Sequence, residues 1–285
     1  MVTPRADLFR ALATLGEPPQ AGHAAIAEAL GLGGPPDPEH YAAVFLFGAF
    51  PYASVYVGAE GMLGGEARDR VAGFWRALGL VPPPEPDHVA ALLGLYAAMI
   101  EREDHAAGDG DLAEAAVRST AALLWEHLLS WTPPFLDKVA ELGRPFYADW
   151  AVLLRQALEA EARATGVPPV LPLHLRTALG LPDGHAAGEA WMAAILAPVR
   201  SGLVLTRWDL RRTAVDLGMG SRVGERAFML RSLFEQDPRA VADWLAGEAR
   251  RTAVRHQAWE AALGPVGAFW RRRAEACELA LRTAA

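Results

Sequence analysis

An Asp-His pair, Asp87-His88, follows a proline-rich segment and precedes an apolar stretch of the sequence. In hydrolases such a pair serves a nucleophile, because the carboxylate orients the imidazole that takes the nucleophile's proton. The sequence has no G-x-S-x-G motif, and its one cysteine, Cys277, lies far away in an arginine-rich segment. The pair is therefore better explained as a helix cap or as a ligand-binding handle than as part of a catalytic triad.

The residues after the pair have the apolar spacing of a helix. Val89, Leu92, Leu93, Tyr96, Met99 and Ile100 form a nearly continuous apolar face. Aspartate is a preferred N-cap residue, because its carboxylate accepts hydrogen bonds from the free amides of the first turn. We therefore predict a helix over residues 87–104 with Asp87 as its cap.

A metal site is an alternative that uses the same histidine. His88, Glu101, Asp104, His105 and His127 have suitable side chains, but no H-E-x-x-H or similar two-ligand spacing connects them. The glycines of "GAEGMLGGEARDR" lack the GK[ST] of a phosphate-binding loop. A metal-dependent enzyme remains a hypothesis from the residue types alone.

Helical periodicity recurs along the whole chain, whereas strand-like alternation is scarce. The predicted helices cover 21–32, 39–50, 66–79, 87–104, 111–131, 134–142, 145–164, 186–198, 206–217, 221–235, 238–260 and 265–283. Short Gly- and Pro-rich breaks between amphipathic helices indicate an all-α bundle. A proline cluster at 164–175 divides the sequence into residues 1–165 and 166–285, which we call the N-terminal bundle and the C-terminal extension.

Composition and charge limit the classes of function. The chain has 285 residues, 52% of them hydrophobic, and a formal charge of −7. The N-terminal bundle carries 11 basic and 22 acidic residues, and the C-terminal extension carries 16 and 12. The acidic N-terminal bundle disfavours nucleic acid and suits a basic peptide.

We see no secretory signal and no uncharged membrane-spanning stretch, so we expect a cytoplasmic protein without stable membrane insertion.

A second aromatic-rich stretch follows about 40 residues after the Asp-His pair. "EHLLSW", residues 126–131, is followed by "PF" and "FY", and the aromatic residues lie at helical spacing. Together with "EPDH" at 85–88 and with "PYASVYVGAEGMLGGEARDRVAGFWRALGL" at 51–80, this stretch resembles the TorD/DmsD/NarJ family of molybdoenzyme maturation chaperones. The resemblance covers roughly residues 40–160.

The resemblance implies a fold, a role and a set of peptide-binding residues. Such proteins are all-helical and are not enzymes. They bind the N-terminal leader, often a twin-arginine signal, of an apo molybdoenzyme catalytic subunit until its cofactor is inserted. Asp87 and His88 match the family's Asp-His pair in the leader-binding groove, and Glu85 matches the preceding acidic residue. Groove-lining aromatic residues are matched by Tyr52 and Trp75, and a later His-Leu-Leu-Ser-Trp element by His127 and Trp131.

The C-terminal extension departs from the family and leaves an alternative function open. Residues 203–236 resemble a helix-turn-helix, with Thr206 as a cap and Arg222, Arg226 and Arg231 on the second helix, so a DNA-binding regulator is one hypothesis. We instead expect the extension to pack on the bundle or to contact the client enzyme, without nucleic acid. The sequence contains no motif for guanine nucleotide or molybdopterin, so we expect no cofactor, and it leaves a homodimer open.

Overall fold

The protein is all-α, as predicted. The computed structural model describes residues 3–182 and 188–284, and this part of the chain contains no β-strand longer than a single bridge. The helices of the N-terminal bundle are α1 (Pro4–Leu15), α2 (His23–Ala29), α3 (Pro38–Tyr41), α4 (Ala53–Val57), α5 (Gly65–Ala77), α6 (Val89–Ala106), α7 (Gly110–Ala122), α8 (Thr132–Glu141) and α9 (Pro145–Thr165). Those of the C-terminal extension are α10 (Leu173–Thr177), α11 (Glu189–Ile195), α12 (Pro198–Ser201), α13 (Arg207–Asp216), α14 (Arg226–Gln236), α15 (Pro238–Leu263) and α16 (Pro265–Ala284).

Aromatic side chains make several of the contacts in the core of the N-terminal bundle. Helix α1 packs on α6, where the rings of Phe9 and Tyr96 meet edge to face with centroids 4.8 Å apart. Trp150 of α9 donates its indole N–H to the carbonyl of Leu12, 3.0 Å away. Because the buried indole N–H has a partner, the large ring adds apolar burial without leaving a polar group unsatisfied.

The helical hairpin α15–α16 joins this core to a second one. Trp259 and Trp270 are fully buried in the core of the N-terminal bundle, and Trp270 donates to the carbonyl of Ser130, 3.1 Å away. Other residues of the same hairpin, such as Leu245 and Cys277, belong to a second core made within the C-terminal extension. The two parts of the sequence therefore share buried surface, and their division into two domains stays a prediction.

A buried charge network also connects the two parts. Lys138 of α8, the one lysine in the sequence, lies 3.2 Å from both carboxylate oxygens of Asp209 in α13. Its Nζ also donates to Glu141 at 2.8 Å, and Arg212 contacts both Asp209 and Glu248 of α15. Buried charges are tolerated when each is paired and hydrogen-bonded. The extension is thus held to α8 by complementary charge as well as by apolar packing.

Most predicted helices are confirmed, but their bounds differ in informative places. Helix α1 was not predicted, and the predicted helix 186–198 is two short helices, with residues 186 and 187 outside the described part. Two predicted helices contain π-helical segments, π1 (Ala42–Leu46) after α3 and π2 (Leu123–Leu128) after α7. A π-helical turn adds a residue to one turn without ending the helix, so a short apolar pattern predicts the helix but does not reveal the π-helical turn. Trp208 of α13 is 47% exposed, in contrast to the buried Trp259 and Trp270.

Candidate peptide-binding site

The site begins where two chain segments pair in front of helices α4 and α6. Tyr52 and His88 form an isolated antiparallel bridge. The N–H of Val89 donates to the carbonyl of Pro51 at 2.8 Å, and the N–H of Ala53 donates to that of Asp87 at 3.0 Å. These bonds fix the first turns of both helices side by side. Tyr52 and His88, 36 residues apart in sequence, therefore become neighbours.

Asp87 does not cap the helix that follows it, which corrects the prediction from sequence. The N-cap of α6 is His88, whose Nδ1 accepts from the N–H of Ala90 at 3.1 Å. The Asp87 carboxylate turns to the other helix and accepts from the N–H of Ser54, in the first turn of α4, at 3.1 Å. Asp87 is only 1% exposed. It thus holds α4 against α6 and presents almost no surface to a ligand.

The accessible carboxylate of the site is Glu85. The hydroxyl of Tyr52 donates to Glu85 Oε2 at 2.9 Å, and the N–H of His88 donates to the Glu85 carbonyl at 3.2 Å. The Tyr52 and His88 rings meet edge to face, with centroids 4.9 Å apart. Burial raises the pKa of Tyr52 and the hydrogen bond to Glu85 raises it further, so the phenol stays protonated and keeps donating.

His88 is held as a neutral imidazole. Its Nδ1 accepts a backbone hydrogen bond, which places the remaining ring proton on Nε2. Burial lowers the pKa of His88, although Glu85, Glu17 and Asp87 act against that shift. At neutral pH the ring is therefore a hydrogen-bond donor through Nε2, and the negative charge of the site resides on its carboxylates.

Trp75 of α5 borders the same cluster. Its indole N–H lies 3.4 Å from the carbonyl of Pro86, and Arg68, one of the residues that sequence reasoning missed, donates to the carbonyl of Pro84 at 2.9 Å. Both contacts hold the proline-rich segment before Asp87. Leu80 and Val81, at the start of that segment, are 41% and 89% exposed. Apolar surface thus lies beside the acidic part of the site.

The two remaining predicted residues lie apart from this cluster. Trp131 is fully buried among core aromatics such as Tyr56, and its indole N–H donates to the carbonyl of His127 at 2.8 Å. Trp131 therefore does not form a wall of a groove. The sequence did not show this, because helical spacing does not distinguish buried from exposed aromatic residues. The His127 ring lies 4.7 Å from that of Phe74, and burial lowers its pKa to about 4.

We define the Tyr52 cluster as Tyr52, Trp75, Glu85, Asp87 and His88. Sequence reasoning named all five residues and missed Ser54, Arg68 and Glu17, which support the cluster from elsewhere in the chain. Contacts across 33 residues, such as Ser54 with Asp87, leave no local pattern in the sequence. The fold brings these residues to one surface.

One family comparison covers this part of the chain. Residues 38–137, which include the whole Tyr52 cluster, match the family model described as nitrate reductase delta subunit. This region belongs to the NarJ/TorD chaperone family. The family is one of molybdoenzyme maturation chaperones rather than of catalysts. No curated protein matches the chain significantly.

The two alternative functions find little support in the geometry. Helices α13 and α14 are joined by residues 217–225, whereas a helix-turn-helix has a turn of about 3–4 residues. Arg226 and Arg231 of α14 contact other parts of the protein. Within residues 3–182 and 188–284, no group of three or more His, Cys, Asp or Glu side chains is arranged to hold a metal ion. In the same ranges, no helix is long and apolar enough to cross a membrane.

Proposed function

We propose that the protein is a cytoplasmic chaperone that binds the N-terminal leader of an apo molybdoenzyme catalytic subunit through the Tyr52 cluster. It would hold that subunit until the molybdenum cofactor is inserted. One observation carries the proposal. The exposed carboxylate of Glu85 is held by the hydroxyl of Tyr52, and it lies beside His88, whose neutral imidazole can donate a hydrogen bond. No catalytic step is part of this function.

Charge complementarity supports a basic leader as the ligand. Glu85 and Glu17 are both exposed, and both raise the pKa of His88, so their carboxylates act on the same small region. The surrounding N-terminal bundle has a net charge of −11. A leader that carries arginines would be attracted over a distance and could then form a charge-assisted hydrogen bond with Glu85.

Hydrogen-bonding capacity supports a peptide in particular. The Nε2–H of His88 has no partner among the described residues and can donate to a peptide carbonyl. The exposed Leu80 and Val81, with the half-buried Trp75, offer apolar contacts to the segment that follows the arginines in a leader. The surface thus combines an acidic end and an apolar end, as recognition of an amphipathic peptide requires.

Binding of leader peptides to variants tests the proposal. Labelled N-terminal peptides from the molybdoenzyme catalytic subunits of the same host would be titrated with protein and followed by fluorescence anisotropy. We expect Glu85→Gln to weaken binding of the matching leader about tenfold, because it removes a charge-assisted hydrogen bond. The control is Glu114→Gln, which removes an exposed carboxylate from α7 and should leave affinity unchanged. Equal affinity for both variants would contradict the assigned surface.

A further inference from the structure

A separate concavity lies between the N-terminal bundle and the C-terminal extension, and we call it the junction pocket. Its volume is about 180 Å³. Phe47, Phe50 and Tyr56 line it from the bundle, and Leu205, Arg207 and Arg226 line it from the extension. The pocket shares no residue with the Tyr52 cluster. Its walls are mainly apolar, with two cationic side chains, two hydroxyls and one carboxylate.

The side chain of Arg226 is half-buried, and among the described residues no carboxylate compensates its charge. It donates to the carbonyls of Leu205 and Gly61, each at 3.0 Å, and to that of Leu196 at 3.4 Å. Among the described residues, no carboxylate oxygen lies within 4.0 Å of it. Burial lowers the pKa of Arg226, which reflects the cost of holding a cation away from water. Carbonyls satisfy some of its N–H groups but do not neutralise the charge.

Tyr56 supplies a second unsatisfied group. The residue is fully buried, and its hydroxyl has no hydrogen-bond partner among the described residues. Its ring is held in place by Trp131 and Phe135, with centroid distances of 5.4 and 5.7 Å. Tyr56 and Arg226 both line the junction pocket. Burial raises the pKa of Tyr56, and the charge of Arg226 acts in the opposite direction. A buried hydroxyl in a folded protein nearly always has a partner.

One kind of ligand would satisfy both groups. A carboxylate can accept from a phenol and from a guanidinium at once, and its planar shape suits the guanidinium. The aromatic and aliphatic walls require that the rest of the ligand be apolar, and the small volume limits it to about one ring or branched chain. We propose that the junction pocket binds a small apolar carboxylate, with the carboxylate group on Tyr56 and Arg226.

The rim of the pocket contains one opposing charge. Glu225, the residue before α14, is exposed and lines the pocket, and it forms no ion pair with either arginine within the described part of the chain. Its carboxylate would repel an incoming anion. Removal of that charge is therefore expected to strengthen binding, which provides a variant that gains rather than loses affinity.

Two kinds of molecule present an apolar group with a carboxylate: a free aromatic acid and the C-terminus of a polypeptide. Benzoate represents the first source and N-acetylphenylalanine the second. Benzamide and N-acetylphenylalanine amide are their neutral counterparts. Titration of the full-length protein by saturation-transfer NMR should show binding of at least one acid, and the acid that binds identifies the source. No binding of either acid at about 10 mM, or equal binding of an acid and its amide, would overturn the proposal.

Three variants distinguish this site from non-specific binding. Tyr56→Phe removes a hydroxyl that has no partner among the described residues, so the fold should persist while acid affinity falls about tenfold. Tyr147→Phe removes another buried, unpartnered hydroxyl, from the aromatic core, and should bind the acid like the wild type. Glu225→Gln should bind more tightly. Unchanged affinity in both Tyr56→Phe and Glu225→Gln would show that the acid binds elsewhere.

Discussion

The carboxylate of Asp87 accepts a hydrogen bond from the backbone N–H of Ser54, which lies 33 residues earlier in the sequence. This bond caps α4 from outside the helix, while His88 caps α6 with its own Nδ1. Neighbouring residues of one Asp-His pair thus stabilise two different helices. The pair positions the exposed Glu85 and the half-buried Tyr52, and only its histidine is available to a ligand.

Loss of the Asp87 carboxylate should destabilise the protein. Asp87→Ala leaves the Ser54 N–H buried without a partner, and we expect the free energy of unfolding to fall by about 1–3 kcal/mol. Urea denaturation monitored by circular dichroism measures the change. Asp109→Ala is a matched control, because Asp109 is the N-cap residue of α7 but makes no side-chain capping bond. A loss of similar size in the control would contradict the assigned role of Asp87.

The two tryptophans predicted for the site should separate stability from binding. Trp131 is fully buried, so Trp131→Ala should lower the free energy of unfolding by about 3–5 kcal/mol through loss of core packing. Trp75 is half-buried at the edge of the cluster, so Trp75→Ala should weaken leader binding with a smaller loss of stability. Thermal unfolding and anisotropy titration measure the two effects. The opposite pattern would place the leader on a different surface.

The half-buried His127 and the buried His174 predict acid sensitivity. Burial lowers the pKa values of His127 and His174 to about 4, and Arg70 lowers that of His174 further while Glu66 opposes it. The unfolded chain, with histidine pKa values near 6.5, binds more protons between about pH 6.5 and pH 4, so stability falls as pH decreases through that window. We expect a loss of up to about 2 kcal/mol per histidine between pH 7 and pH 5.

A histidine variant checks this dependence. His127→Gln cannot take up the proton, so its free energy of unfolding should change less between pH 7 and pH 5 than that of the wild type. His105→Gln, at the exposed C-terminal end of α6, is the control and should follow the wild type. Urea denaturation at both pH values provides the comparison. Parallel curves for all three proteins would show that His127 does not contribute.

Removal of one charged partner from the network between the N-terminal bundle and the C-terminal extension should destabilise the protein. Lys138→Met leaves Asp209 buried without its lysine, and we expect a destabilisation of about 3 kcal/mol. Arg118→Met removes an exposed partner of Glu114 and should cost less than about 1 kcal/mol. Chemical denaturation compares the two variants. Similar small effects would show that apolar packing alone holds the extension in place.

Helical periodicity predicted the fold class and most helices, because amphipathic spacing is a local property. The short α4 and α10 were not predicted, since helices of five residues depend on their surroundings more than on their own pattern. The five residues of the Tyr52 cluster were named through a family resemblance. Their roles were not fully predictable, because the choice of Asp87 between α6 and α4 depends on a contact distant in sequence.

The most direct test of the central claim is affinity purification of the tagged protein from its own host, with the bound proteins identified by mass spectrometry. Our account predicts recovery of a molybdoenzyme catalytic subunit with its leader uncleaved. It also predicts much lower recovery by a Glu85→Gln/His88→Ala variant that remains helical by circular dichroism. Recovery of no oxidoreductase subunit under conditions in which one is expressed, or equal recovery by the variant, would contradict it.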